Sequence, residues 1–162
     1  MDRLWTPWRF AYITESEANK SERASCIFCS LRDSSDDESN FVIHRAAHNL
    51  IVLNIFPYIS GHLMIFPRAH VADLDAVTDE AASELISLAK RSQTVLRDVY
   101  HPQGFNLGMN LGSAAGAGVA DHIHLHVLPR WTGDANFMTT IGETRVLPEE
   151  LKTTYERLRG LF

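Results

Sequence analysis

The chain has 162 residues, of which 45% are hydrophobic, and its formal net charge at pH 7 is −5. A chain of this length can bury a full core, so we expect one domain over residues 1–162. The negative net charge argues against a protein that binds duplex nucleic acid, because such proteins are normally basic. No apolar run approaches the roughly 20 residues needed to cross a bilayer, and the first eight residues lack the apolar core of a signal peptide. These features favour a cytoplasmic protein without a membrane partner.

The N-terminal part of the chain is predicted to contain an arm, a loop and three strands. Residues 1–25 mix aromatic side chains with a polar tail, which is typical of an irregular N-terminal arm. The acidic, serine-rich stretch 32–40 indicates a solvated loop. Two segments rich in β-forming residues, 41–46 and 49–55, predict strands joined by a tight turn, and 62–66 predicts a third strand.

The C-terminal part is predicted to add two helices and two more strands. Apolar residues recur at helical spacing over 79–99, which predicts a long helix with one apolar stripe. Segments 104–111 and 122–128 predict the fourth and fifth strands, and 148–161 predicts a C-terminal helix. The order of strands, helix, strands and helix indicates an α+β domain with an antiparallel sheet.

Three histidines, His122, His124 and His126, alternate with apolar residues in the fifth strand. Successive side chains of a strand point to opposite faces, so the imidazoles are predicted to form one row about 7 Å apart. A neutral imidazole is a nucleophile, a base or a metal ligand. The glycine-rich loop 112–118 leads into this row and can present backbone N–H groups to an anion. A nucleophile beside such a loop favours attack on phosphorus; the alternative is a metal site or ordinary hydrogen-bonded histidines.

Both cysteines of the chain lie in one Cys-x-x-Cys group, Cys26 and Cys29. In a reducing compartment this spacing indicates a metal or redox pair more than a structural disulfide. A redox pair is disfavoured because no thioredoxin-like context surrounds it. Two reduced cysteines packed as small apolar groups are the remaining alternative.

The sequence of residues 122–128, HIHLHVL, resembles the signature of the histidine triad superfamily of nucleotide hydrolases and transferases. Residues 54–67 are similar to the second conserved block of that family. Residues 4–9 and 129–138 resemble a bacterial subgroup that includes diadenosine tetraphosphate phosphorylases. The resemblance implies a histidine-triad fold, with an antiparallel five-stranded sheet, a long helix and a C-terminal helix. It also implies a homodimer that acts on an adenosine nucleotide or dinucleoside polyphosphate, with no nucleic-acid partner and no organic cofactor.

The same resemblance implies roles for the histidines. His124 would attack the α-phosphorus of a nucleotide and form a nucleotidyl-histidine intermediate. His126 would contact the phosphate or the leaving group, and His62 would support the row from the neighbouring strand. The alternative for His62 is a buried, hydrogen-bonded strand histidine without a catalytic role.

The substrate-binding residues that the resemblance implies lie on two segments: Asn54, Ile55, Phe56, Asn110, Gly116, Gly118 and Val119. Asn54 would bind the ribose, whereas Ile55 and Phe56 would form either a base pocket or part of the core. Asn110 and the backbone of the loop would surround the phosphates, unless Asn110 only caps a strand end. Hydrolytic members often carry glutamine where this chain has Gly118, which leaves room for a larger acceptor such as inorganic phosphate. Phosphorolysis of diadenosine tetraphosphate is therefore favoured; a hydrolase, a phosphoramidase or a nucleotide-binding regulatory module is the alternative.

Zinc-bearing family members resemble this chain at four positions, Cys26, Cys29, His70 and His122. Such a Cys₂His₂ set is closed to water, so the implied Zn²⁺ would be structural. The remaining histidines, His44, His48 and His101, carry no pattern and are predicted to lie at the surface. Two further features are left open. Arg130 would either steer phosphate or form a surface ion pair, and residues 131–138 would close the pocket of the same or the neighbouring subunit.

Overall fold

The computed structural model describes residues 26–144 and 147–162, so the predicted arm over 1–25 lies outside the described residues. The described part contains five strands: β1 (Val42–Arg45), β2 (Asn49–Leu53), β3 (Leu63–Pro67), β4 (Gly104–Met109) and β5 (Leu125–Arg130). It also contains four α-helices: α1 (Ile27–Asp33), α2 (Asp79–Tyr100), α3 (Phe137–Thr140) and α4 (Leu151–Leu158). None of these helices is long and apolar enough to cross a membrane.

The strands form one sheet in the order β1-β2-β3-β5-β4, and every neighbouring pair is antiparallel. This arrangement confirms the predicted α+β fold with its antiparallel five-stranded sheet. Met64 of β3 and Gly108 of β4 both lie opposite His126 of β5. The strand that carries His126 is therefore held on both sides within the sheet.

Helix α2 packs against one face of the sheet and forms the main core. Its first turn is capped by Thr78, whose hydroxyl accepts the N–H of Ala81 at 3.3 Å. Helix and sheet bury a common apolar cluster, to which α4 contributes Tyr155 and Leu158. The other buried members are Ile43, Ile51, Leu53, Leu63, Ile65, Leu85, Leu88, Ala89, Val95, Leu96, Leu125 and Val127.

Helix α1 covers the opposite face of the sheet, and the sequence pattern did not predict it. Its Phe28 is 2% exposed and packs in a second buried cluster with Val42, Leu50, Val52 and Phe66. The prediction of a solvated loop over 32–40 is wrong at its beginning, because residues 32 and 33 form the last turn of this helix.

The C-terminal end of α1 is held by Arg45 of β1. The Arg45 guanidinium donates to the carbonyls of Leu31, Arg32 and Ser34 at 2.8–3.0 Å. Carbonyls at the end of a helix need such donors because they lack partners within the helix. The cap comes from a distant strand, so the local acidic and serine-rich composition could not indicate a helix.

Several predicted elements are shorter in the structure. The strands predicted over 49–55 and 104–111 end at Leu53 and Met109, and both then enter loops that carry predicted site residues. The helix predicted over 148–161 is confined to Leu151–Leu158.

Candidate active site and metal centre

The three histidines of the HIHLHVL segment form a buried row. His122, His124 and His126 are 0%, 5% and 8% exposed. The ring centroids of His124 and His126 lie 4.9 Å apart. Leu125, which lies between His124 and His126, and Val127, which follows His126, enter the main core, as the alternation predicts.

The strand itself begins later than predicted, at Leu125 instead of His122. The pairing of Ile65 with Leu125 would, if it continued, place Pro67 opposite Ile123. Proline has no N–H to donate to a sheet ladder. The N–H of Ile123 instead donates to the carbonyl of Val71 at 2.8 Å, and His122, which lies in a bend, and His124 precede the strand.

His124 is held by the backbone immediately before it. Its Nδ1 lies 2.9 Å from the carbonyl oxygen of His122. A carbonyl only accepts, so Nδ1 carries the proton and donates this bond, which leaves the lone pair of the neutral ring on Nε2. Burial lowers the pKa of His124, although the bond to His122 acts in the opposite direction. At neutral pH His124 therefore has the form that a nucleophile requires.

His126 has the opposite tautomer, set by a chain of hydrogen bonds that begins at Tyr58. The backbone N–H of Tyr58 donates to Nδ1 of His62 at 3.2 Å, so this nitrogen carries the lone pair. The proton of His62 is then on Nε2, which lies 2.8 Å from Nδ1 of His126 and donates to it. Nδ1 of His126 is thus an acceptor, and its Nε2 carries the remaining proton. His126 can donate a hydrogen bond while its neighbour His124 offers a lone pair.

The pKa of His126 predicts how activity depends on pH. Burial, assisted by the charge of a protonated His124, lowers this pKa to about 4. Protonation of Nδ1 would break the bond from His62, and protonation of His124 would remove the lone pair of the proposed nucleophile. Because burial lowers the pKa of both histidines, we expect kcat/KM to decline only well below pH 6.5 as pH falls. A profile of kcat/KM between pH 4 and 8 tests this expectation. An acid limb centred near pH 6.5 would contradict it.

Asn54 belongs to the same hydrogen-bonded group. It is 8% exposed, its amide nitrogen lies 3.3 Å from Nδ1 of His62, and its side-chain oxygen accepts the N–H of Phe56 at 2.9 Å. Ile55 and Phe56 are 52% and 68% exposed, so the alternative of a core role for them is wrong. Their apolar side chains stand at the surface, next to Asn54 along the chain.

The predicted phosphate loop follows β4 and leads back to the row. Met109 lies opposite Leu125, so the same register, if continued by one residue, would place Asn110 opposite His124. Gly112 and Gly116 have φ values of 76° and 85°, a left-handed conformation that favours glycine. Gly118 is exposed, whereas Val119 packs against the cluster around Phe28.

The four predicted metal ligands come together at the beginning of the row. The candidate donor atoms of Cys26, Cys29, His70 and His122 all lie within 4.8 Å of one another, and this group could hold a metal ion. Cys26 Sγ lies 3.3 Å from Nδ1 of His122, and Cys29 Sγ lies 3.3 Å from Nδ1 of His70. For tetrahedral zinc, typical bond lengths give a sulfur–nitrogen separation of about 3.6 Å. The spacing of the donor set fits zinc.

The protonation of His122 also fits a metal. Its Nε2 lies 2.8 Å from the carbonyl oxygen of Pro67 and donates to it, so Nδ1 presents a lone pair towards the cysteines. Cys26 is the N-cap of α1, and Cys29 lies within that helix. Between them, Phe28 packs with its ring centroid 4.9 Å from that of His124. Helix α1 therefore connects the metal ligands with the histidine row.

The family model of the HIT domain matches residues 35–133. AP-4-A phosphorylase of Mycobacterium tuberculosis H37Rv is 40% identical over 158 residues, which cover 95% of this chain and 80% of that protein. The chain belongs to the HIT family. This confirms the family that the sequence predicts and the expectation of an enzyme of the histidine triad class.

Other HIT proteins share the sequence or the fold. Adenosine 5'-monophosphoramidase hnt1 of Schizosaccharomyces pombe is 27% identical over 83% of this chain and 96% of that protein. A solved structure of a Zn-bound histidine triad family protein from Mycobacterium smegmatis is 30% identical, with a TM-score of 0.68. The matched region covers 85% of this chain and 92% of the Mycobacterium smegmatis chain.

The sequence patterns indicated no role for two residues that lie against the site. Phe28 lies against both His122 and His124, and Tyr58 supplies the N–H that fixes the tautomer of His62. The only sequence signal for Phe28 was its place between the two cysteines. Tyr58 lies in a turn after β2. An aromatic residue in a turn does not by itself indicate that its backbone N–H donates to a histidine.

The structure also shows the surroundings of Arg130 and of the three histidines that carried no sequence pattern. Arg130 forms a bidentate ion pair with Asp134, with nitrogen–oxygen distances of 2.6 and 2.7 Å, which is the surface-pair alternative. His48 and His101 are exposed, as predicted. His44 is half-buried and faces Phe162 at a centroid distance of 6.1 Å.

Proposed function

We propose that the chain is a nucleotidyl transferase that cleaves diadenosine tetraphosphate with inorganic phosphate through a nucleotidyl-His124 intermediate. The observation that carries this proposal is the pair of opposite tautomers at His124 and His126. One ring offers a lone pair and the other an N–H, 4.9 Å apart between ring centroids in a buried site. Nucleophilic attack with hydrogen-bond donation to the leaving group needs that combination.

In the first step, Nε2 of His124 forms a bond to the α-phosphorus. The phosphorus–oxygen bond to the next phosphate breaks, and ATP leaves with the electron pair of that bond. His126 donates a hydrogen bond from Nε2 to the departing oxygen, and Asn110 with the loop backbone holds the phosphates. In the second step, an oxygen of inorganic phosphate attacks the same phosphorus, which gives ADP and restores the lone pair of His124.

Two features support phosphate as the acceptor instead of water. Gly118 is exposed and has no side chain, so at this position the loop that leads to the row adds no bulk that would exclude a tetrahedral anion. The relative with 40% identity is named AP-4-A phosphorylase. The alternative is a phosphoramidase, which the name of the Schizosaccharomyces pombe relative supports. Both reactions use the same first step and differ in the leaving group and the acceptor.

The dependence on phosphate distinguishes these activities. We expect diadenosine tetraphosphate to be converted to ADP and ATP when phosphate is present and to turn over slowly without it. The products are separated by anion-exchange chromatography, with the phosphate-free reaction as the control. AMP and ATP formed at the same rate without phosphate would show hydrolysis and overturn the proposed acceptor.

We also propose that Cys26, Cys29, His70 and His122 hold a structural Zn²⁺. When bound, the ion would fix the N-terminal end of α1 against the segment before β5. All four coordination positions are occupied by side chains, which leaves none for a substrate or water. The carbonyl of His122 orients His124, so the metal ligand also positions the proposed nucleophile.

A cytoplasmic homodimer is the remaining part of the proposal. Within the described residues β4 ends the sheet, and the backbone groups of an edge strand can pair with another chain. Leu107 on this strand and Ile86 on α2 are 43% and 57% exposed, which provides apolar surface for an interface. We expect sedimentation velocity to show a dimer and Leu107→Lys to weaken it. A monomeric wild-type chain at micromolar concentration would contradict the dimer.

A further inference from the structure

A cavity of about 500 Å³ lies beyond His126 and outside the site described above. Tyr58 adjoins both, because it lines the cavity while its ring lies nearly parallel to that of His126, with 24° between the ring planes and 5.9 Å between the centroids. Leu128 and Arg130 also line it. They follow His126 at alternate positions of β5, about 7 and 13 Å along the strand, so they lie on the same face of the sheet.

Three aromatic side chains contribute to the lining of this cavity, beside polar and charged residues. Tyr58, Tyr100 and Trp131 all contribute to it, and the rings of Tyr100 and Trp131 meet edge to face at 6.5 Å. Aromatic rings of this kind provide stacking surfaces for a flat base. The volume lies within the range of about 300–1,000 Å³ that is usual for small-molecule sites.

The charges that line the cavity are paired. Arg130 forms its ion pair with Asp134, and Arg157 lies 3.1 Å from Glu149. Among the described lining residues, each cationic side chain is therefore paired with a carboxylate, and their charges cancel. Such a lining favours an uncharged group and disfavours a phosphate, which would need unpaired donors.

We propose that this cavity binds the distal nucleoside of a dinucleoside polyphosphate, the one that leaves with the phosphate chain. The inference rests on the proposed function, in which His126 faces the leaving group. In a tetraphosphate, three phosphates separate the attacked phosphorus from the distal nucleoside, so the phosphate chain would run from His124 past His126 towards the cavity. The anionic phosphates then stay at the histidine row and the loop, and the neutral nucleoside occupies the cavity. The cavity thereby selects substrates with a nucleoside at both ends.

Binding to the His124→Asn variant tests this subsite without turnover. The two ligands are diadenosine tetraphosphate and adenosine 5'-tetraphosphate, which carry the same number of phosphates and differ in the distal adenosine. Stacking of one base on aromatic side chains predicts about 5- to 150-fold tighter binding of the dinucleotide by calorimetry. Equal affinities would overturn the subsite.

Variants that fill the cavity provide a second test of the subsite. Ala135 lines it and is exposed, so Ala135→Trp adds volume there without removing an existing contact. We expect this variant, in the His124→Asn background, to lose the preference for the dinucleotide, and the smaller Ala135→Leu to lose part of it. Ala76→Trp, at an exposed alanine outside the cavity, is the matched control and should keep the preference. A preference that survives both Ala135 variants, with unchanged Tm, would place the distal nucleoside elsewhere.

Turnover by the wild-type chain separates this inference from the proposed function. If the chain binds the dinucleotide preferentially and Ala135→Trp removes that preference, the subsite holds even where no turnover is seen, and the catalytic proposal alone fails. If the chain turns over diadenosine tetraphosphate but binds both ligands equally, the catalytic proposal holds and the subsite is wrong.

Discussion

Replacing His124 with asparagine is expected to lower kcat for diadenosine tetraphosphate by about 10⁴-fold or more, because removal of a nucleophile leaves only binding and electrostatic contributions. Nucleotide affinity should change little. The asparagine amide can donate to the carbonyl of His122 as Nδ1 of His124 does, so the loop and the rest of the row keep their positions. Steady-state turnover and calorimetric Kd measure the two effects separately.

His101→Asn is the matched control for this substitution. His101 is exposed at the end of α2 with φ 49°, a conformation that asparagine tolerates well. We expect wild-type kcat from this control. Turnover by His124→Asn within tenfold of the wild-type rate would remove His124 from the mechanism.

Replacing His70 with alanine is expected to have the second largest effect. It removes one of the four proposed metal ligands, so metal affinity should fall by at least the roughly 10- to 100-fold that loss of an outer-shell partner causes. Metal binding to a folded site contributes to the free energy of unfolding. A loss of about 3 kcal/mol would lower Tm by roughly 6–12 °C for a chain of this size. Metal content by mass spectrometry and Tm by calorimetry test both parts.

His48→Ala is the control for the metal ligand, since His48 is also an exposed histidine but lies outside the cluster. It should retain the metal and the wild-type Tm. A chelator should lower the Tm of the wild-type chain to about that of His70→Ala. Identical metal content and Tm in both variants would show that His70 is not a ligand.

The alternation of apolar and polar residues and the helical spacing of 79–99 were enough to predict the sheet and its long helix. These patterns work because each element buries one face against a common core, as Leu85 and Val127 do. Helix α1 was not predicted, since its stability depends on the burial of Phe28 and on the capping by Arg45. The short α3 was also missed, although Asn136 and Thr139 form a capping box at its start.

The candidate site could be predicted as a set of residues but not as a set of protonation states. The spacing of His124 and His126 places both on one face, yet it says nothing about which nitrogen of each carries a proton. That distinction comes from the His122 carbonyl in one case and from Tyr58 and His62 in the other. The contact of Tyr58 depends on the turn after β2, whose backbone path the sequence does not define.

The proposed mechanism requires that His124 carries the nucleotide during turnover. Rapid mixing of the wild-type chain with diadenosine tetraphosphate in the absence of phosphate, followed by quenching at alkaline pH, should yield a protein heavier by one adenylate. Peptide mapping should place this group on the fragment that contains His124, and added phosphate should remove it as ADP. An adenylate on a different residue, or equal labelling of the His124→Asn variant, would contradict the account.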